Sequence, residues 1–140
     1  MDKTKRFKLI EQLSAQPEPQ IVECDKFFDG NDDPGSIGCN LIDHPGIDIF
    51  RQVFTQLQQH PKVTGVYFQI SELDPGDGWP FTDAAYVIGT LPNYTIRALV
   101  EPLQPDEVAT FSSIQEMAEM YIPPHIIPTD GTPLTYIWWD

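Results

Sequence analysis

Apolar positions recur at two different periods along this chain, and the switches between them predict its elements. Over residues 3–15, Phe7, Ile10 and Leu13 fall three apart with Leu9 beside them, the spacing of a short amphipathic helix. Pro17 and Pro19 end it. Ile21 and Val22 mark a short strand over 20–24, and an irregular stretch rich in Asp, Asn, Gly and Pro follows to residue 38. A second short strand is expected over 37–42. The strongest helical pattern comes next: Ile47, Phe50, Phe54 and Leu57, with Val53 filling the stripe, against a polar face of Arg51, Gln52, Gln56, Gln58 and Gln59. Asp48 stands in its first turn, where a carboxylate favours the helix dipole, and Pro61 closes it.

The period then shortens to two. Val66, Phe68 and Ile70 alternate with Tyr67, Gln69 and Ser71, which predicts a strand over 63–72. A turn at 74–78 leads to a partner strand over 84–90. Ile96, Leu99, Val100 and Leu103 predict a short helix over 94–103. Pro105-Asp106-Glu107 resembles a helix first turn and Ser113-x-x-Glu116 a capping box, so 105–121 is expected to be one kinked helix or two short ones. Four prolines between 123 and 133 make an extended connector, and Thr135 to Asp140 read as a final strand. This order predicts an α+β fold: a largely antiparallel sheet with helices covering one face, in a single domain spanning 1–140. The N-terminal basic helix, 1–16, is expected as an appendage.

Composition narrows the function. A chain of 140 residues with 41% hydrophobic and 21% charged residues can bury a core, so its acidity is not that of a disordered tail. The net charge of −13 argues against phosphate backbones and anionic membranes as partners, so neither nucleic acid nor membrane is expected. Four of the eight bases, Lys3, Lys5, Arg6 and Lys8, crowd the first eight residues. Residues 9–140 carry twenty acids and four bases, a net of −16. The basic start is not followed by the apolar run of a signal peptide, and no segment has the length of apolar sequence a membrane helix needs; a cytoplasmic protein is expected. Cys24 and Cys39 have no C-x-x-C spacing and are expected to be reduced thiols.

Three constellations are candidates for chemistry. Asp29, Asn31 and Asp33, with Asp32 between them, place oxygen ligands at alternate positions, as a calcium loop does. Pro34 and Asn40 stand where an EF-hand needs Gly and Glu, so the preferred reading is a turn capped by Asp and Asn side chains. A weak metal set of Asp29, Asn31, Asp33 and His44 is the alternative. The second constellation is Glu72 to Asp83, where Asp77 and Asp83 flank Trp79 and Phe81. It reads either as a recognition surface for a basic partner or as two aromatics folded inward to hold a long loop. The third sets His44 with Asp43 and Cys39 or Cys24, a metal or nucleophile set if the fold brings them together. No Walker A, G-x-S-x-G or G-x-G-x-x-G motif is present, and no cofactor is expected.

The blocks Phe28 to Asn40 (FDGNDDPGSIGCN), Trp79-Pro80-Phe81-Thr82-Asp83, Leu103 to Val108 (LQPDEV) and Trp138-Trp139-Asp140 resemble a family of small, acidic, uncharacterised bacterial proteins. The resemblance covers roughly residues 20–140 and leaves the basic helix outside. It implies a bacterial intracellular setting and no activity. Two function classes stand. The favoured one is a non-catalytic acidic interaction domain, immunity-like or inhibitor-like, binding a basic partner through Asp29, Asp32, Asp33, Asp77, Trp79, Phe81 and Asp83. The other is a small enzyme or metal-binding protein using the Asp/His/Cys loop 29–44. A homodimer through Tyr136, Trp138 and Trp139 on a sheet edge is a further expectation.

Overall fold

The computed structural model describes residues 1–140 and folds them around one antiparallel sheet. Five helices, α1 (Lys3–Ser14), α2 (Cys24–Phe28), α3 (Ile47–Gln59), α4 (Asn93–Val100) and α5 (Ile114–Glu119), are interleaved with five strands: β1 (Ile21–Glu23), β2 (Val63–Glu72), β3 (Phe81–Gly89), β4 (Glu107–Phe111) and β5 (Leu134–Trp138). The strand order is β1-β2-β3-β5-β4, with every neighbouring pair antiparallel. The α+β expectation therefore holds.

Alternation along each strand sorts side chains onto two faces. Val22, Val66, Phe68, Ile70, Ala85, Val87, Val108 and Ile137 point to the face that carries the main core. There α3 buries Phe50, Phe54 and Leu57 completely, on the stripe its spacing predicts. Each such side chain contributes about 1.5–3 kcal/mol relative to exposure. The rings of Phe27, Phe28, Phe54 and Phe68 pack edge-on, tilted or, for Phe28 and Phe54, stacked, with centroids 4.7–6.3 Å apart, which adds directional preference to the burial. Leu9 and Leu13 of α1 are buried in the same core, so the N-terminal helix is part of the packed body rather than an appendage. The opposite face carries a smaller cluster. Met117 of α5, Ile122 and Ile126 cover Ile21, Tyr86, Ile88 and Leu134.

Three local expectations are corrected. Residues 107–111 form a strand, not the start of a helix: β4 pairs with β5 along its length, from Glu107 opposite Trp138 to Phe111 opposite Leu134. The Asp-Glu pair after Pro105 mimics a helix start, but pairing with β5 satisfies the backbone and places Val108 in the core. The expected strand over 37–42 reduces to one bridge, Ile37 beside Thr82, because Gly38 at φ 63° turns the chain away. The stretch after residue 24 is not wholly irregular. Cys24, Phe27 and Phe28 lie at helical spacing and form the buried face of α2. The Ser113 box forms in part: Ser113 Oγ accepts from the Glu116 N–H at 3.1 Å, and Glu116 Oε1 accepts from the Ser112 N–H at 3.3 Å rather than from that of Ser113.

Candidate functional site

The two acidic loops singled out by sequence meet at one end of the molecule. The link is Asp33. Its Oδ1 accepts the Gly35 N–H at 2.8 Å, starting a turn at Pro34–Ser36, and its Oδ2 accepts the Trp79 N–H at 3.0 Å across 46 residues. Asn31 is buried, donating to Ser36 Oγ at 3.0 Å and accepting from the Asp33 N–H at 2.9 Å. Trp79 is 1% exposed and Phe81 half-buried, so these aromatics hold the loop to the core. The Trp79 Nε1–H has no protein acceptor. Asp77 is exposed.

The basic helix is already seated on these acids. Lys5 Nζ lies 2.6 Å from Asp29, the Met1 amine 2.7 Å from Asp32, and Arg6 Nη2 2.7 Å from Asp74. Arg6 also donates to the Gly76 and Gly78 carbonyls at 2.6 and 2.7 Å. Arg51 pairs with Asp48 and donates to the Asn31 carbonyl. All four ion pairs thus fall around the loops 25–33 and 74–78 and α3. The hydrogen bond Lys5 donates to Asp29 holds Lys5 above the usual lysine range, and that from the Met1 amine holds Asp32 below the usual carboxylate range.

The metal and nucleophile sets do not assemble. No three His, Cys, Asp or Glu side chains gather where one ion could be held. Asp29 is turned to Lys5, Asp33 to two backbone N–H groups, and Asn31 into the loop interior. Both nitrogens of His44 are occupied by backbone: Nδ1 accepts from the Gly46 N–H at 3.0 Å, which leaves Nε2–H to donate to the Ile37 carbonyl at 2.8 Å. Cys24 is buried and Cys39 exposed, and both are free thiols. Burial pushes the Cys24 thiol up to about 12, with Asp25 adding to the shift, the opposite of what a nucleophile needs.

A different surface carries unpaired acids beside aromatics. Cross-strand register places Glu23, Tyr67, Tyr86 and Tyr136 in one row across β1, β2, β3 and β5. The next row runs Ile21, Gln69, Ala84, Trp138 and Glu107. Both rows lie on the face opposite the main core. The cover of α5 and residues 122–126 stops at the tyrosines: Tyr67 and Tyr136 stay half-buried against its margin, and Trp138, also half-buried, lies outside it. The rings of Tyr86 and Tyr136 stack at 5.7 Å, and Tyr86 Oη donates to Gln69 Oε1 at 2.6 Å.

A bulge brings Asp83 to this face. The register of β2 and β3 slips between Gln69 and Ile70, and buried Thr82 repairs the slip by donating to the Gln69 carbonyl at 2.6 Å and accepting from the Ala84 N–H at 3.2 Å. Asp83 then meets Ser71 Oγ at 2.9 Å. Burial, then the Asp83 and Glu107 charges, push the Tyr136 phenol up to about 12. Burial, then Tyr136 and Asp83, raise Tyr86 also. No ion pair reaches Asp83, Asp106 or Glu107. Arg97 of the neighbouring α4 is directed to Asn93 and the Val108 carbonyl, which also covers part of the β4 edge. Sequence reasoning named Asp83 but missed Tyr67, Gln69, Tyr86, Trp138 and Glu107 as one surface. The alternation in 63–72 was the signal; the register that aligns it with Tyr86 and Tyr136 was not. The expected dimer edge is also corrected: β5 lies between β3 and β4, so its backbone is paired on both sides, and Trp139 is buried.

No helix is long and apolar enough to cross a membrane. The chain is 28% identical over 126 residues to the "Uncharacterized protein YfbO" of Escherichia coli (strain K12), an alignment covering 89% of this chain and 84% of that protein. No solved structure matches it. A family model matches residues 4–134, so the N-terminal helix, expected outside the resemblance, lies inside it, while Trp138-Trp139-Asp140 falls beyond its end. That match takes in nearly the whole chain: it belongs to the Uncharacterized protein YfbO family.

Proposed function

We propose that this protein is a non-catalytic acidic interaction domain that binds a basic protein partner, in an inhibitor-like or immunity-like role. One observation carries the reading: the acids are unevenly neutralised. The ion pairs of the molecule concentrate on Asp29, Asp32, Asp74 and Asp48, and Asp83, Asp106 and Glu107, on and beside the open sheet face, are left without a base. Unpaired carboxylates beside half-buried aromatics speed association with a cationic surface and supply contact area once it arrives. The reading keeps the protein in the cytoplasm, where free thiols such as Cys24 and Cys39 persist. Of the acids named from sequence, Asp83 belongs to the binding surface; Asp29 and Asp32 serve the basic helix, and Asp33 the loop.

The test is fluorescence polarisation with a labelled cationic peptide, comparing the wild type with Asp83→Asn/Glu107→Gln and with a control, Asp77→Asn/Glu119→Gln, of the same charge change. Binding should weaken steeply as salt shortens the Debye length below about 10 Å, and the first variant should lose more affinity than the control. Equal losses, or binding indifferent to salt, would overturn the reading.

A further inference from the structure

The open half of the sheet says more about its partner than that it is basic. We infer that this face docks an extended, arginine-bearing segment of a partner protein, laid across the strands over Tyr67, Tyr136 and Trp138. The inference rests on the acidic-domain reading above and adds the face, the side chain recognised and the direction of the bound segment.

The aromatic row is bracketed by carboxylates. Glu23 stands beside Tyr67 on β1, Glu107 opposite Trp138 on β4, and Asp83 near the phenols of Tyr86 and Tyr136. Strands lie about 4.8 Å apart, so the four gaps from β1 to β4 span about 19 Å. An extended chain rises about 3.3 Å per residue, so about six residues cross the face and bring a cation to each end. Each row carries one small residue: Ala109 ends the tyrosine row on β4, and Ala84 separates Gln69 from Trp138 in the next. At the β1 end the face opens into a groove where Ile21, Tyr67 and Ile126 lie among Gln16, Glu23 and His125, which gives the crossing segment a partly apolar berth beside an acid.

Arginine fits this surface better than lysine. A guanidinium is planar, stacks on an aromatic face while donating sideways to a carboxylate, and loses less hydration than an ammonium. Trp138 with Glu107, and Tyr136 with Asp83, each offer a ring and an acid together. Polar groups on the face complete the fit. Tyr136 is half-buried and offers its ring and hydroxyl, while Tyr86, 3% exposed, stacks against it and commits its hydroxyl to Gln69 Oε1. A second copy of this chain, itself at −13, lacks the charge to occupy the face.

The experiment titrates the full-length protein with two labelled peptides of equal length and charge, with arginine or lysine at the cationic positions, and reads polarisation together with tryptophan emission. Trp79 and Trp139 are each 1% exposed, so a change in emission reports Trp138. The arginine peptide should bind about two- to fivefold more tightly per stacked guanidinium and shift the emission. Trp138→Leu should reduce that preference by the share of one stacked guanidinium, about two- to fivefold, while retaining most of the lysine-peptide affinity. Tyr94→Leu, an exposed aromatic away from the row, should change neither. Equal binding of both peptides, no emission shift, or an unchanged preference in Trp138→Leu would overturn the assignment and leave the acidic-domain reading standing. Failure of both peptides to bind at low salt would remove that reading itself. A dimer by light scattering that dissociates on Trp138→Leu would assign the face to a second copy instead.

Discussion

Replacing Asp33 with alanine separates a loop-holding role from a binding role. The carboxylate does two things. Its Oδ1 caps the turn at Pro34–Ser36, and its Oδ2 ties that turn to the backbone of Trp79. Losing a cap of this kind costs about 1 kcal/mol. The second loss strands a half-buried N–H beside a fully buried indole, at about 1–2 kcal/mol, since an unmade bond forfeits solvation as well as its partner. The sum is about 2–3 kcal/mol, or roughly 4 °C in Tm for each kcal/mol in a chain of this size. Asp33→Asn keeps the cap and loses the tie, so about half the effect is expected. Asp77→Ala, exposed in the same region, should stay within about 0.5 kcal/mol. The assay is urea unfolding followed by the emission of buried Trp79 and Trp139, compared at constant m. Affinity for the cationic peptide, corrected for the folded fraction, should not change. An Asp33→Ala protein as stable as Asp77→Ala but unable to bind would refute the assignment and return Asp33 to the binding surface.

Three more perturbations test the packing. Iodoacetamide should modify Cys39 in the native protein and reach Cys24 only on unfolding, as mass spectrometry will show, because Cys24 is 1% exposed and its thiol is pushed up to about 12. Alkaline titration followed by tyrosinate absorbance should show Tyr136 and Tyr86 ionising late, above the ordinary tyrosine range. Because the folded-state values of these two are raised above those of the unfolded chain, their contribution to stability is complete below about pH 10 and is lost as the pH rises toward 12. Gly89→Ala should be among the most damaging single substitutions, by more than about 3 kcal/mol or by loss of soluble protein, since φ there is 152° and an added Cβ would stand 2.1 Å from the Lys62 carbonyl oxygen.

What the sequence made legible followed from short-range periodicity. The spacing of Ile47, Phe50, Phe54 and Leu57 identified α3 and its buried stripe, and the alternation of Val66, Phe68 and Ile70 identified β2, because both patterns are written within one element. The strand at 107–111, where a helix was expected, was missed for the opposite reason. The fate of Val108 and Thr110 depends on a partner strand 25 residues later, while Pro105-Asp106-Glu107 gives a helix signal locally. The site divides the same way. Asp33 could be read as a turn capper from its neighbours Pro34 and Gly35, but its bond to Trp79 could not. The alignment of Tyr67, Tyr86 and Tyr136 is a product of two registers and a bulge, none of which one strand reveals.

The placement of α1 decides which acidic surface a partner can use. At the loop end, Lys5 and Arg6 already occupy Asp29 and Asp74, and Arg6 also takes up the Gly76 and Gly78 carbonyls. A basic partner binding there would have to lift α1. The exposed ion pairs resist little, because solvent and salt replace them. Leu9 and Leu13 resist more: both are buried in the main core, and exposing them costs about 3–6 kcal/mol. That penalty reduces affinity by roughly two to four orders of magnitude against an equivalent site that opens at no cost. Asp83 and Glu107 carry no such occupant, and the aromatics beside them are half-buried before any partner arrives. Given equal attraction at the two surfaces, a cationic segment therefore goes to the sheet. The densest run of acids in the sequence is the less accessible site, because the chain supplies its own cations there.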